Sequence, residues 1–539
     1  MSPTKGVTVQ PTTQRLRVLR AIACAAGVLL APGVFAAGNG VEVSSADHAQ
    51  LHSLIGAMPK NEELSKSRVA HPARPLPWLD GPGTPEDAAR QGGAVMSTAP
   101  ISGLGFDGVG QGFTGPQGTF TVNSAPPDTN GAVGTTQYVQ TVNSALAVFD
   151  KATGSTVYGP VAINTLFQPL GGRCASDNDG DPVVVFDKIA RRWVISQFAV
   201  TTTPYYQCVA VSQTEDATGG YNLYAFSYGS VFPDYPKIGV WPDGYYITFN
   251  MFNGNTFAGA KVCAYDRNAM LAGQAATQQC VQLSTSYGGV LPADLDGATL
   301  PPAGAPEIFL ARGSSALYRW LMHVDWANPG ATTFTGPTAL PVAAYSAACS
   351  GGTCVPQSGV AQKLDSLADR LMFRLAYRNF TTYDSVVVTH SVQVGNYRRG
   401  DPTAVRWYEV RNPASATSVY QQGTYNPDST FRWMGSIAQD KQGNMAMGYS
   451  VSSTAIHPGI RVALRSASDP AGTFQAETSV LAGGGSQTGQ NLSRWGDYSA
   501  MTVDPVDDCT FWYTTEYLKA NGAFNWSTRI VSFKHPSCQ

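Results

Sequence analysis

The sequence predicts an all-β fold, a seven-bladed β-propeller, and three observations predict it. Glycine (56) and proline (35) are abundant, while charged residues make up only 13% of the chain. Short apolar or aromatic runs alternate with turns rich in Asp, Asn and Gly, the residues that favour tight hairpins. A polar start motif also recurs, marked by Asp128, Asp179, Asp234, Asp296, Asp365, Trp433 and Asp497 at intervals of 51 to 69 residues. Repeats of that length, with room for about four short strands each, have the size of propeller blades.

In chain order, the first expectation is an export signal over residues 1–36. Arg15, Arg17 and Arg20 form a basic start, Ala21 to Val34 is apolar or small, and Val34-Phe35-Ala36 supplies a small-x-small cleavage pattern. The apolar run is short for a bilayer and is broken by Pro32, and no other stretch suits a membrane span. Residues 37–105 read as an arm or pro-segment. It holds an amphipathic helix over Ala46 to Met58, then an extended linker carrying Pro72, Pro75, Pro77, Pro82 and Pro85.

The propeller is expected over residues 106–539. Its second copy shows the plan: Val183 to Phe186 as one strand, a turn at Asp187, then Trp193 to Phe198 as the next. The sixth and seventh copies repeat it around turns at Asp440 and Asp504, and the fourth uses Glu307 to Ala311 and Ala316 to Val324. The seventh copy lacks a fourth strand of its own. Phe113 to Val122 is expected to supply it, because Phe113-Thr114-Gly115-Pro116 echoes Phe334-Thr335-Gly336-Pro337 of the fourth copy. Pairing the two ends in this way would remove the open sheet edges.

Of nine cysteines, Cys24 lies in the predicted signal. The remaining even number in an exported chain implies disulfides. The layout favours local pairs, each within one blade or loop: Cys174 with Cys208, Cys263 with Cys280, Cys349 with Cys354, and Cys509 with Cys538.

In propellers the first strand of each blade starts at the face where ligands usually bind. By that analogy of fold, the recurring start motifs meet at one central mouth. Asp128, Asp234, Asp365 and Asp497 are the candidate catalytic carboxylates. Lys237, Arg432, Trp433, Arg494, Trp495 and Tyr498 are the candidate ligand-binding residues, since Trp and Arg do not serve as turn caps. Asp177, Asp179 and Asp181 alternate with Asn178 and Gly180 and offer hard oxygen ligands to Ca²⁺. Against them, Pro182 stands where a helix-loop-helix calcium motif needs Gly, and an acidic turn is the simpler alternative. Nucleophile elbows, zinc-protease motifs, phosphate loops and dinucleotide fingerprints are absent, and no cofactor is required. A net charge of -2 argues against nucleic acid as a partner.

The stretches Phe232-Pro233-Asp234-Tyr235-Pro236-Lys237 and Arg494-Trp495-Gly496-Asp497-Tyr498 resemble a group of exported bacterial propeller proteins that are mostly uncharacterised. The Asp440 and Asp504 turns loosely resemble the Asp-box hairpins of sialidase-like propellers, which implies a structural role for those aspartates. The resemblance implies fold and a secreted, periplasmic or cell-surface location, and brings no catalytic assignment. Two functions are carried forward. One is a mouth that binds, and as a glycoside hydrolase or polysaccharide lyase cleaves, a polysaccharide or glycoconjugate. The other is a non-catalytic surface, adhesion or protein-interaction module.

Overall fold

Successive antiparallel meanders make up most of the described residues. The computed structural model describes residues 1–3, 6, 35–36, 40–60, 68–77, 87–92 and 103–539, so most of the expected export signal lies outside the described residues. Among the described residues no helix is long and apolar enough to cross a membrane.

The first meander spans residues 130–162, the second 180–229, the third 232–282, and the fourth 291–341. The fifth spans residues 372–425 and the sixth 431–481, each of four strands. The seventh has three consecutive strands, Ala500–Val503, Thr510–Leu518 and Trp526–Lys534. The predicted strands of the second, fourth, sixth and seventh copies fall on observed ones. Inner strands touch in chain order, and the first strand of the seventh meander touches that of the first. Between the fourth and fifth meanders the contact becomes a parallel ladder, Ala293 to Asp296 against Leu375 to Arg378. Arg374 fastens it by ion pairs with Asp294 (2.9 Å) and Asp296.

The apolar core lies between neighbouring sheets. Trp193 and Phe186 pack with Val139 and Leu146 between the first two meanders, and Trp512 and Trp526 pack with Tyr138 between the seventh and the first. Each ring buries about 150–250 Å². The four disulfides are Cys174–Cys208, Cys263–Cys280, Cys349–Cys354 and Cys509–Cys538, all local as the layout implied.

Three expectations are corrected. The fourth strand of the seventh meander is Gly105–Asp107, which pairs with Val531 to Arg529, and not Phe113 to Val122. Asp107 fixes this choice: its carboxylate takes Arg529 at 3.0 Å, Lys519 at 2.9 Å and the Tyr517 hydroxyl at 3.0 Å. The Phe113 segment instead folds on itself, Thr114–Gly115 against Gly118–Thr119, around the Gly-Pro turn. The helix expected over Ala46 to Met58 is absent. Glu42–Ser45 adds to the outer edge of the third meander and Asp47–Leu51 to that of the second, where open edges offer main-chain partners. Lastly, Asp365 does not open the fifth meander. It belongs to a separate hairpin, Thr353–Gln357 with Val360–Asp365, and the inner strand starts at Met372.

Candidate functional site

Inner strands carry a bulge at their starting end. The ladder skips between Gly180 and Val183, between Asp234 and Lys237, and between Trp433 and Ser436. A bulge turns a side chain away from the regular alternation. Asp181, Tyr235 and Met434 sit at these skips with positive φ (44°, 58° and 57°), and Asp128 stands just before its strand with φ 47°. Left-handed backbone is costly for residues with side chains and concentrates at functional positions.

These bulges gather a charged, aromatic centre. Asp128 is buried and accepts from the Asn143 side-chain amide (2.8 Å) and from the Asp497 main-chain N–H (2.9 Å). Asn143 Oδ1 in turn accepts from the Asp181 N–H (2.9 Å), and the Asp181 carboxylate accepts from the Tyr235 N–H (3.2 Å). Lys237 is fully buried, with its ammonium 3.6 Å from the Tyr235 ring centre and 3.7 Å from that of Tyr498. Tyr498 donates to the Pro182 carbonyl at 3.0 Å, which ties the seventh meander to the second. Arg370 stacks over Tyr235 at 4.6 Å and pairs with Asp369 at 2.7 Å. Arg494 ion-pairs with Asp497.

Burial sets the acid–base character. Loss of hydration, with the nearby charge of Asp181, raises Asp128 to about 8 and Asp234 to about 7. Loss of hydration lowers Lys237 to about 7, against the opposing pull of Asp181 and Asp128. Both oxygens of Glu516 are buried without a hydrogen-bond partner, and burial together with Asp128 pushes this group well above the ordinary carboxylate range. Groups shifted toward neutrality are what proton transfer requires.

The predicted residues divide. Asp128, Asp234, Lys237, Arg494, Asp497 and Tyr498 meet at this centre, while Asp365 flanks it: burial raises its pKa and Arg494 opposes the shift. Arg432, Trp433 and Trp495 do not serve a ligand surface. Arg432 is buried and held by Glu477 (2.6 Å and 2.9 Å), and also by Asp428 (2.9 Å). Trp433 and Trp495 are buried side by side, ring centres 5.9 Å apart, and Trp495 donates to Ser450 at 3.0 Å. Both rings fill the core between sheets.

Asp177, Asp179 and Asp181 take separate partners. Asp177 pairs with Arg173 at 2.7 Å, and Asp179 accepts the N–H groups of Val200 (2.6 Å) and Thr201 (2.8 Å). Among the described residues no three His, Cys, Asp or Glu side chains converge as a metal-holding group. The hairpin aspartates are structural: Asp187 holds Arg267 at 2.8 Å, and Asp440 accepts from the main chain of Gln442 and Asn444 at 2.9 Å.

Sequence reasoning missed Asp369, Arg370, Glu516, His71 and Arg74. An available signal was the Asp369-Arg370 pair just before the apolar strand that starts at Met372. Glu516 sits within a strand, where nothing in the sequence marks it out.

A separate cleft of about 290 Å³ lies at the outer edge between the second and third meanders. Its polar groups satisfy one another, Lys261 with Glu42 at 2.5 Å and Tyr228 with Gln278 at 2.9 Å.

No family model matches the chain, and no curated protein matches it. Among solved structures the chain is similar to the polysaccharide lyase Uly1, at 10% identity over 80% of this chain and 97% of that one, with TM-score 0.34. It is similar to an α-L-arabinofuranosidase from Lactobacillus brevis at 10% identity, over 66% and 91% of the two chains, TM-score 0.29. A WD40 domain of SCAP from fission yeast matches at 9% identity, over 74% and 82%, TM-score 0.29. Likeness at this level carries neither activity nor ligand over to this chain.

Proposed function

We propose that the seven meanders close a propeller ring whose strand-start face binds a polysaccharide or glycoconjugate outside the cytoplasm, and that Asp128, Asp234 and Lys237 supply acid–base chemistry to cleave it. The observation that carries this reading is their convergence from two meanders with pKa values of about 8, 7 and 7. At neutral pH such a set holds protonated and deprotonated members together, so one group can take a proton while another gives one. Side chains alone carry the chemistry as proposed. Four disulfides support action in an oxidising compartment.

The second reading is binding without cleavage. It is favoured by the complete burial of Lys237, which leaves the partly exposed Asp234 and Asp497 as the groups nearest a ligand. One screen separates the two. The purified protein is incubated with a panel of neutral and acidic polysaccharides, and new reducing ends and unsaturated uronate ends are both measured. Reducing ends alone indicate hydrolysis, and both together indicate elimination. In either case Asp234→Asn should abolish turnover while the protein stays folded. Binding with no product in any arm supports the second reading, and neither binding nor product, from the parent or from a chain carrying Arg74→Ala and Leu76→Ala, removes the glycan proposal.

A further inference from the structure

Residues 68–77 run extended across this same face. Val69–Ala70 pairs in parallel with Ser124–Ala125, just ahead of the first meander. The His71 N–H donates to the Ala125 carbonyl at 2.8 Å, and its ring shares a hydrogen bond with Ser124 Oγ at 3.0 Å. The chain then crosses to other meanders. Arg494, from the lead of the seventh, donates to the His71 carbonyl at 3.4 Å. Arg370, from the lead of the fifth, donates to the Arg74 carbonyl at 3.0 Å, and its neighbour Asp369 accepts the Leu76 N–H at 2.9 Å. The Arg74 guanidinium lies over Phe232 (4.3 Å) and Phe252 (5.3 Å) of the third, and Leu76 is only 4% exposed.

This stretch therefore touches the leads of the first, third, fifth and seventh meanders, and it engages them as a ligand would. Its carbonyls are received by arginines, one N–H by a carboxylate, and one cation by an aromatic pair. Arg370 and Arg494 flank Tyr235 and Asp497, so the donors that hold the strap stand beside the acid–base centre. Arms that only brace a fold commonly add to sheet edges, as Asp47–Leu51 does here. Residues 68–77 instead lie over a centre to which several meanders contribute charged groups.

We propose that residues 68–77 are an intramolecular plug that occupies the strand-start face and must leave before an external ligand binds there. The identity of that ligand rests on the glycan reading above; the plug itself does not. A tethered segment competes at an effective concentration on the order of millimolar, so a weak intrinsic contact suffices to hold the site shut.

The test uses the full chain carrying Arg74→Ala and Leu76→Ala together. Three quantities are measured: hydrogen exchange of the amides of residues 69–76, capture of a fluorescent peptide of residues 68–77, and retention of the polysaccharide panel. The plug predicts exchange at least ten-fold faster than in the parent, peptide bound by the variant and not by the parent, and polysaccharide retention at least ten-fold stronger. Faster exchange with peptide capture but unchanged polysaccharide retention would uphold the plug and sink the glycan reading. Unchanged exchange, or no capture of the peptide, would overturn the plug. If the double variant does not fold, residues 68–77 are replaced by a Gly/Ser stretch of equal length. Failure of that chain to fold as well would make the segment structural and overturn the proposal.

Discussion

Asp234 and Lys237 lie three residues apart and respond to burial with opposite signs. A carboxyl raised from 3.8 to about 7 binds its proton more tightly in the fold, so its contribution to stability falls as pH rises through that interval. Lys237, lowered from 10.5 to about 7, makes stability rise with pH above about 7. Between pH 5 and 7 the carboxyls therefore dominate. Thermal melts of Asp234→Asn should lose less stability over that range than the parent, and equal slopes would refute the assignment. At Trp433 a different outcome is expected. Trp433→Ala removes a fully buried ring and should cost about 3–5 kcal/mol in denaturant unfolding, with ligand affinity of the folded fraction unchanged. A drop in affinity without loss of stability would contradict its placement in the core. The sequence marked Trp433 and Arg432 because neither residue type caps a turn. It could not show that Glu477, 45 residues away, waits for Arg432. The centre itself was legible where the motif repeats, at Asp128, Asp234 and Asp497, because equal slots in a repeat come to equal places. It was illegible at His71 and Arg74, which belong to no repeat.

Edge strands decide much of the architecture at the next scale. Gly105–Asp107 is too short to announce itself by alternation, and its selection comes from one side chain with three partners. Asp107→Ala should therefore lower stability by about 1–2 kcal/mol, since hydrogen bonds to a charged group are lost. Thr114→Ala, in the exposed Thr114–Gly115 hairpin nearby, should leave the melting temperature unchanged. Equal effects from the two would mean that the seventh meander does not depend on Asp107. The Phe-Thr-Gly-Pro echo misled because the same four residues take two structures: Phe334 to Pro337 lie within the strand Thr333–Pro341, whereas Thr114–Gly115 turns back on Gly118–Thr119. The expected helix over Ala46 to Met58 failed for a related reason. Of its apolar positions, Ala46, Leu51 and Leu54 are buried, against sheet edges that the local sequence does not reveal, while Ile55 is exposed. By contrast, the hairpin turns at Asp187, Asp440 and Asp504 were legible because each aspartate bonds within a few residues of itself.

Over the whole molecule, every disulfide is local, closing a short loop or tying a meander to itself or to the segment beside it, which the spacing of the cysteines implied once the repeat was seen. Their worth should follow loop length. Cys509–Cys538 separates its partners by 29 residues and Cys349–Cys354 by 5. Replacing each pair by alanines should cost about 1.5 kcal/mol more for the longer loop, read from denaturant midpoints, and the reverse order would count against the chain-entropy account. The pairing of Gly105–Asp107 with Trp526–Lys534 has a consequence for how the chain reaches its native state. Asp107 and Arg529 stand 422 residues apart. The strand made early must wait through all of these residues before its partner exists, and the last sheet keeps a bare edge until the two meet. Contacts of such sequence separation slow folding, because closing the loop precedes any gain from the contact. A nascent chain cannot complete this junction while Trp526–Lys534 is still in the ribosome, so the final registration of the molecule waits for the seventh meander to emerge.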